Sequence, residues 1–237
     1  MHFVKAKGIL SSENGMNLYR GCSHGCIYCD SRSKCYHMEH DFGFTVITKS
    51  DRILRDLDLL RKINEKTKCV VQMTLTTCDE ELCGKIEPNV STTRERFEVL
   101  KILRDAGIPT VVWLAPILPF LNDTAENICG IVDMCAEAKV YGMICFGMGL
   151  TLREGNREYF YSQLDRLFPG VKEKYIRTYG NRYVVESPDG RRLMQLFERK
   201  CEESGIVHDN ERIFRYLHEF EEKNAGRQLS LWDWKEE

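Results

Sequence analysis

Cys22, Cys26 and Cys29 stand at the spacing C-x3-C-x2-C, within eight residues of one another. Thiolates so close in sequence can converge on one soft metal centre. A four-iron cluster held by three of them keeps one iron without a protein thiolate, which is a coordination position for a small molecule. Gly21 and Gly25 let the backbone wrap closely, and the aromatic Tyr28 directly precedes the third cysteine. The alternative is a structural zinc site in which Cys35, His24 or His37 completes four ligands. Zinc loops more often present well-separated C-x2-C pairs, so the compact triplet favours the cluster.

The chain has 11 cysteines, an odd number, and no apolar core of a signal peptide in its first twenty residues. Both features argue against a disulfide framework. Cys69, Cys129, Cys135 and Cys145 fall in apolar strand-like or helix-like stretches and read as small buried hydrophobes. With 237 residues, 43% hydrophobic and 30% charged, the composition suits one sizeable globular domain with appendages. No apolar run approaches the roughly 18–20 residues of a membrane helix, so a cytoplasmic location is expected. The net charge of −2 neither requires nor excludes a nucleic-acid partner.

The elements that must position the cysteine loop alternate along the chain. Strands are expected near residues 16–20, 44–48, 69–76, 110–115 and 140–146. Between them Ser50 can cap a helix with Ile53, Leu54, Leu57, Leu60 and Ile63 at helical spacing. Thr92 and Glu95 form a capping-box pattern ahead of Phe97, Leu100 and Leu103, with Gly107 as the stop. Asn122 or Asp123 is expected to begin a helix that turns Ile128, Ile131, Val132 and Cys135 inward. Such alternation with continuous apolar strands predicts a parallel sheet covered by helices. Beyond Gly149 the pattern is mainly helical, with helices expected near 192–203 and 210–222.

The string Asn17-Leu-Tyr-Arg-Gly-Cys-Ser-His-Gly-Cys-Ile-Tyr-Cys29 resembles the cluster loop of radical SAM enzymes, in particular the group related to spore photoproduct lyase. Thr48-Lys49, Glu87-Pro88 and Ala115-Pro116-Ile117 follow in that group's order, so the likeness runs over about residues 16–150. The resemblance implies an α/β fold, a partial, open parallel (β/α) barrel of radical SAM type with a helical C-terminal region. Residues 1–150 would form the core, 151–223 the helical region and 224–237 a flexible tail. It further implies a 4Fe-4S cluster on Cys22, Cys26 and Cys29, and S-adenosylmethionine chelated to the open iron. One electron, from a flavodoxin-type or ferredoxin-type donor, would cleave that cofactor to a 5′-deoxyadenosyl radical. The cofactor carries such chemistry while the protein positions and shields it. By the same matching Tyr28 would contact the adenosyl part, Lys49 the methionine carboxylate, and Thr74 would offer a hydroxyl. Lyase-type radical chemistry in DNA repair is the implied setting.

The chain departs from the group between Cys29 and Phe44. Residues 30–43 (DSRSKCYHMEHDFG) show no helical apolar period, and a parallel crossover normally takes a dozen or more residues. A helix–strand–helix segment that related proteins place there is therefore expected to be absent. With it go a hydrogen-donating cysteine and contacts to the cofactor's amine. The rival expectation is a non-catalytic iron–sulfur or zinc protein, DNA-associated, with a degenerate cofactor site. In the tail, Gln228, Leu229, Leu231 and Trp232 (QLSLW over 228–232) resemble the clamp-binding peptide of bacterial DNA repair and replication proteins, implying a DNA sliding clamp as partner. Arg177, Tyr179, Arg182, Tyr183, Arg191 and Arg192 interleave basic and aromatic side chains, which suits either stacking on bases or a solvated surface with half-buried tyrosines.

Overall fold

A computed structural model describes residues 43–153 and 155–220. The strand expected at 16–20, the cysteine loop and the tail at 224–237 lie outside these residues. Four strands, β1 (Phe44–Thr48), β2 (Cys69–Leu75), β3 (Thr110–Leu114) and β4 (Gly142–Ile144), form a parallel sheet in that order. The described strands form an open sheet with β1 and β4 at its two ends; they do not by themselves close a barrel.

The crossovers follow the capping chemistry of the sequence. Ser50 accepts a hydrogen bond from the Arg52 N–H, but the six residues Asp51–Asp56 wind as a 3-10 segment before helix α1 (Leu57–Lys66) begins. Asp51 is held by Ser91 through its N–H and its carboxylate, at 2.9 and 2.8 Å, which ties this tight first turn to a distant loop. A short helix α2 (Glu80–Ile86), capped by Asp79, precedes α3 (Thr93–Asp105). The expected capping box of α3 is present. The Thr92 hydroxyl accepts from the Glu95 N–H, and the Glu95 carboxylate accepts from the Thr92 N–H at 2.7 Å. Helix α4 (Ala125–Glu137) starts at Thr124, not at Asn122 or Asp123. The Asn122 amide is otherwise engaged: it donates to the Thr76 carbonyl and accepts from the Leu118 N–H.

Strand β4 is shorter than the expected 140–146 for a similar reason. The Val140 N–H closes the preceding helix on the Cys135 carbonyl, and the Cys145 carbonyl accepts from the Asn210 side chain. Each end of the apolar run is thus hydrogen-bonded elsewhere than in the sheet.

One face of the sheet packs on helices. Val46, Val71, Met73, Leu75, Val112, Leu114 and Met143 meet Leu60, Ile63, Leu100, Leu103, Ile128 and Ile131 in one aliphatic core. Each such side chain, taken fully from water, contributes about 1.5–3 kcal/mol. Cys69, Cys135 and Cys145 are buried, as expected of small hydrophobes, while Cys129 is half-buried.

The C-terminal region returns to the sheet. A hairpin of β5 (Gly149–Thr151) and β6 (Val184–Glu186) encloses helices α5 (Asn156–Leu167) and α6 (Val171–Tyr179) around an aromatic core that includes Phe120, Tyr175 and Tyr179. Gly149 is required there, since a Cβ would stand 2.3 Å from the Val185 carbonyl oxygen. Helix α7 (Gly190–Ser204) joins the aliphatic core, with Lys200 3.0 Å from Asp133 of α4. Val207 then forms a parallel bridge to Gly142, and α8 (Asn210–His218) packs Ile213 and Leu217 on the sheet's second face. Helix α8 stops short of the expected residue 222. The Lys68 ammonium donates to the carbonyls of Tyr216 and Glu219, satisfying the helix end where positive charge is favoured. Among the described residues no helix is long and apolar enough to cross a membrane.

Candidate functional site

The alternation of β2 divides its side chains between two tasks. Val71, Met73 and Leu75 enter the helix-covered core, so Val70, Gln72 and Thr74 face the other way. On that second face Gln72 bridges its neighbours, donating to Thr45 Oγ1 and accepting from Trp113 Nε1, each at 2.7 Å. Thr74 follows at the carboxyl end of the strand and is 8% exposed. The β1–β2 ladder ends at the pair Thr48 and Met73, so Lys49 and Thr74 are the next residues on adjacent strands. Two residues singled out from the sequence therefore arrive at the same end of neighbouring strands.

Beneath Lys49 lies a charge network. Its ammonium donates to Glu87 Oε1 at 2.6 Å. Glu87 Oε2 accepts from Arg96 Nη2 at 2.5 Å and from the Thr76 hydroxyl at 3.0 Å. Arg96 is completely buried, and it also donates to the carbonyls of Thr74 and Ser91 at 2.7 and 2.8 Å. Burial acts to raise the Glu87 carboxyl, but the Lys49 and Arg96 cations more than offset it and hold the carboxyl below its ordinary value. Two cations and one carboxylate give the network a net charge of +1. Its outlet is Lys49, whose side chain is 36% exposed. Among the described residues its ammonium has one hydrogen-bond acceptor, so two N–H donors remain for an anion.

Arg96 carried a sign in the sequence that was not read. It lies four residues before Leu100 and seven before Leu103, on the apolar stripe of α3, where a cation needs a buried partner. Glu87 stood in the sequence only as a mark of resemblance, without a role. A second missed group is aromatic. Trp113, Phe146 and Phe214 lie with ring centroids 6.0–6.1 Å apart, and Phe146 is 67% exposed where the chain leaves β4.

Of the other expected residues, Cys22, Cys26, Tyr28 and Cys29, with the zinc alternatives His24, Cys35 and His37, lie outside the described residues. So do Gln228, Leu229, Leu231 and Trp232. Among the described residues no group of three or more His, Cys, Asp or Glu side chains is arranged to hold a metal ion. The basic and aromatic series divides: Arg177, Arg182, Arg191 and Arg192 are exposed, Tyr183 is half exposed beside Arg153, and Tyr179 is buried with its hydroxyl donated to the Glu186 carbonyl.

Comparison with known proteins bears on the fold. The chain is 30% identical over 135 residues to uncharacterized proteins of Mycobacterium tuberculosis and Mycobacterium bovis, covering 57% of this chain and 39% of each relative. It is 33% identical over 121 residues to an uncharacterized protein of Methanocaldococcus jannaschii, covering 45% of either chain. The chain thus spans less than half the length of the curated relatives it matches. No protein-family model matches it. Among solved structures it is similar to a spore photoproduct lyase in complex with a dinucleoside spore photoproduct, with a TM-score of 0.50 and 14% identity over 67% of this chain and 47% of that one. The likeness is one of architecture: a parallel α/β fold. In particular, two thirds of this chain has a fold similar to just under half of that spore photoproduct lyase.

Proposed function

We propose that the chain is a radical SAM enzyme. Cys22, Cys26 and Cys29 hold a 4Fe-4S cluster, and Tyr28, Lys49 and Thr74 bind S-adenosylmethionine beside it. The observation that carries this reading is the arrival of Lys49 and Thr74 at the carboxyl ends of adjacent parallel strands, both tied to the buried Glu87–Arg96 pair. Ligands of open parallel sheets and barrels bind at that end. The residues present fit the cofactor there: two N–H donors of Lys49 suit its carboxylate, and Thr74 supplies a hydroxyl on the face opposite α1, α3 and α4. When bound, the cluster and cofactor supply reductive cleavage of a sulfonium to a 5′-deoxyadenosyl radical, which takes a hydrogen atom from a substrate.

The protein's own part is positional. Lys49 neutralises and orients a carboxylate, the Arg96 guanidinium fixes the Thr74 backbone, and the helices behind Met73 and Leu75 exclude water from the sheet. The electron enters from a flavodoxin-type or ferredoxin-type donor. The substrate we infer is damaged or modified nucleic acid, supported by the fold shared with a spore photoproduct lyase that binds a dinucleoside photoproduct. The QLSLW segment at 228–232 is the proposed attachment to a DNA sliding clamp.

Anaerobic reconstitution with iron and sulfide tests the reading. A brown protein with broad visible absorption is expected, releasing 5′-deoxyadenosine when reduced with S-adenosylmethionine. Cys26→Ala should lose the iron. A colourless, zinc-loaded protein would defeat both cluster and radical chemistry. A cluster that never cleaves the cofactor would favour a non-catalytic, DNA-associated iron–sulfur protein with a degenerate site.

A further inference from the structure

We propose that Glu87 and Arg96 are positioning residues, a buried pair that aims the Lys49 ammonium at the carboxylate of S-adenosylmethionine. The inference rests on the function proposed above and assigns work to two residues outside its contact set. Arg96 is anchored on two backbone carbonyls, Nη1 on that of Thr74 and Nε on that of Ser91, while Nη2 reaches the side chains of Glu87 at Oε2 and Cys83 at its sulfur, the last at 3.2 Å. Glu87 is in turn fixed at Oε2 by Arg96 and by the Thr76 hydroxyl, which frees Oε1 for Lys49.

A pair built for stability alone would stop at one carboxylate and one guanidinium. Buried pairs of that kind contribute little net stability against apolar residues of the same volume. Here a third charge is added at the outlet, and it is a lysine, whose four-carbon stem samples many rotamers when unrestrained. Oε1 restrains that freedom through one N–H and, among the described residues, leaves two N–H groups without an acceptor on a side chain that is partly exposed. The same guanidinium holds the backbone of Thr74, so one buried side chain sets the relative placement of both proposed cofactor contacts. Preorganisation of this sort lowers the ordering cost of binding.

The test compares binding of S-adenosylmethionine with that of its decarboxylated analogue, which lacks the group Lys49 would hold. Equilibrium affinities are measured on the reconstituted full chain for wild type, Lys49→Ala, Glu87→Gln, Thr76→Val and the Lys49→Ala/Glu87→Gln double variant. Lys49→Ala and Glu87→Gln should each weaken S-adenosylmethionine about tenfold or more, as expected for a lost charge-assisted contact. Neither should change the affinity for the analogue by more than about twofold, and the double variant should bind no worse than Lys49→Ala, since the two residues act as one unit. Thr76→Val keeps all three charges and loosens only the carboxylate, so it should give a smaller loss with the same selectivity. It also carries the test should Glu87→Gln fail to fold.

A Glu87→Gln or Thr76→Val protein that loses both ligands equally, or neither, would overturn the positioning role. So would additive losses in the double variant. If Lys49→Ala alone shows the selective loss, the cofactor reading survives and the positioning role falls. If wild type discriminates the two ligands no better than Lys49→Ala does, both fall together.

Discussion

The two faces of the four-stranded sheet are built from the same strands to opposite ends. On one, Val71, Met73 and Leu75 interdigitate with aliphatic helix residues and carry no hydrogen-bonding groups. On the other, Thr45, Gln72 and Trp113 form a hydrogen-bonded row, Thr74 follows it, and Ile47 and Phe146 remain 50% and 67% exposed. Met73 and Thr74 are adjacent in sequence, yet one serves cohesion and the other the proposed site. A two-residue period thus lets stability and chemistry be altered separately, and the carboxyl edge, where Glu87 and Arg96 pair, is where the two tasks meet.

The edge is the place to break that separation. Glu87→Leu leaves Arg96 buried without its carboxylate, and urea unfolding should show a loss of about 3–5 kcal/mol, together with loss of S-adenosylmethionine binding. Met73→Ala, on the aliphatic face, should cost about 2–5 kcal/mol through the cavity it leaves, with cofactor affinity held. A parallel loss of affinity would show the faces to be coupled. Gln72→Ala should cost less, about 1–3 kcal/mol, because the Trp113 N–H and the Thr45 hydroxyl lose their shared partner.

The pH dependence separates the regions more gently. The Glu87 carboxyl is held below its ordinary value in the folded chain. Its contribution is therefore complete above the unfolded-state value of roughly 4.3 and is lost as pH falls through the lower folded value. Glu87→Gln should flatten this acid limb. On the aliphatic face burial pushes the Cys69 and Cys201 thiols up to about 12. Protonated in both states, these thiols favour neither below the unfolded value of about 8.5. Above it only the unfolded chain ionises them, so stability falls as pH rises. Cys69→Val should reduce that alkaline loss, measured by thermal unfolding across the pH series.

Much of the fold was legible because its signals are local and periodic. The capping box at Thr92 and Glu95, the run of buried residues in β2 and the apolar stripe of α4 can each be read from a few neighbouring residues. The 3-10 start before α1 was not, since it depends on Ser91, forty positions away. Nor was the hairpin of β5 and β6: three-residue strands carry no period, and their pairing spans two helices. In the candidate site, Lys49 and Thr74 follow from the resemblance, whereas Arg96 does not. Its placement is a tertiary fact, set by two carbonyls and a carboxylate contributed from outside α3.

The parallel bridge between Gly142 and Val207 has a consequence for how the chain reaches this state. Strand β4 ends the four-stranded sheet, and its open side is covered by Val207, which accepts from the Met143 N–H at 2.8 Å and donates to the Tyr141 carbonyl. A side chain at position 142 would stand 2.9 Å from the Val207 oxygen, so the close approach depends on glycine. During synthesis the sheet can assemble before residue 207 emerges, and for that interval β4 presents unpaired backbone groups to any other extended segment. Closing that edge late makes the C-terminal region an internal guard against self-association, and a truncation upstream of Val207 should aggregate even though β1–β4 remain.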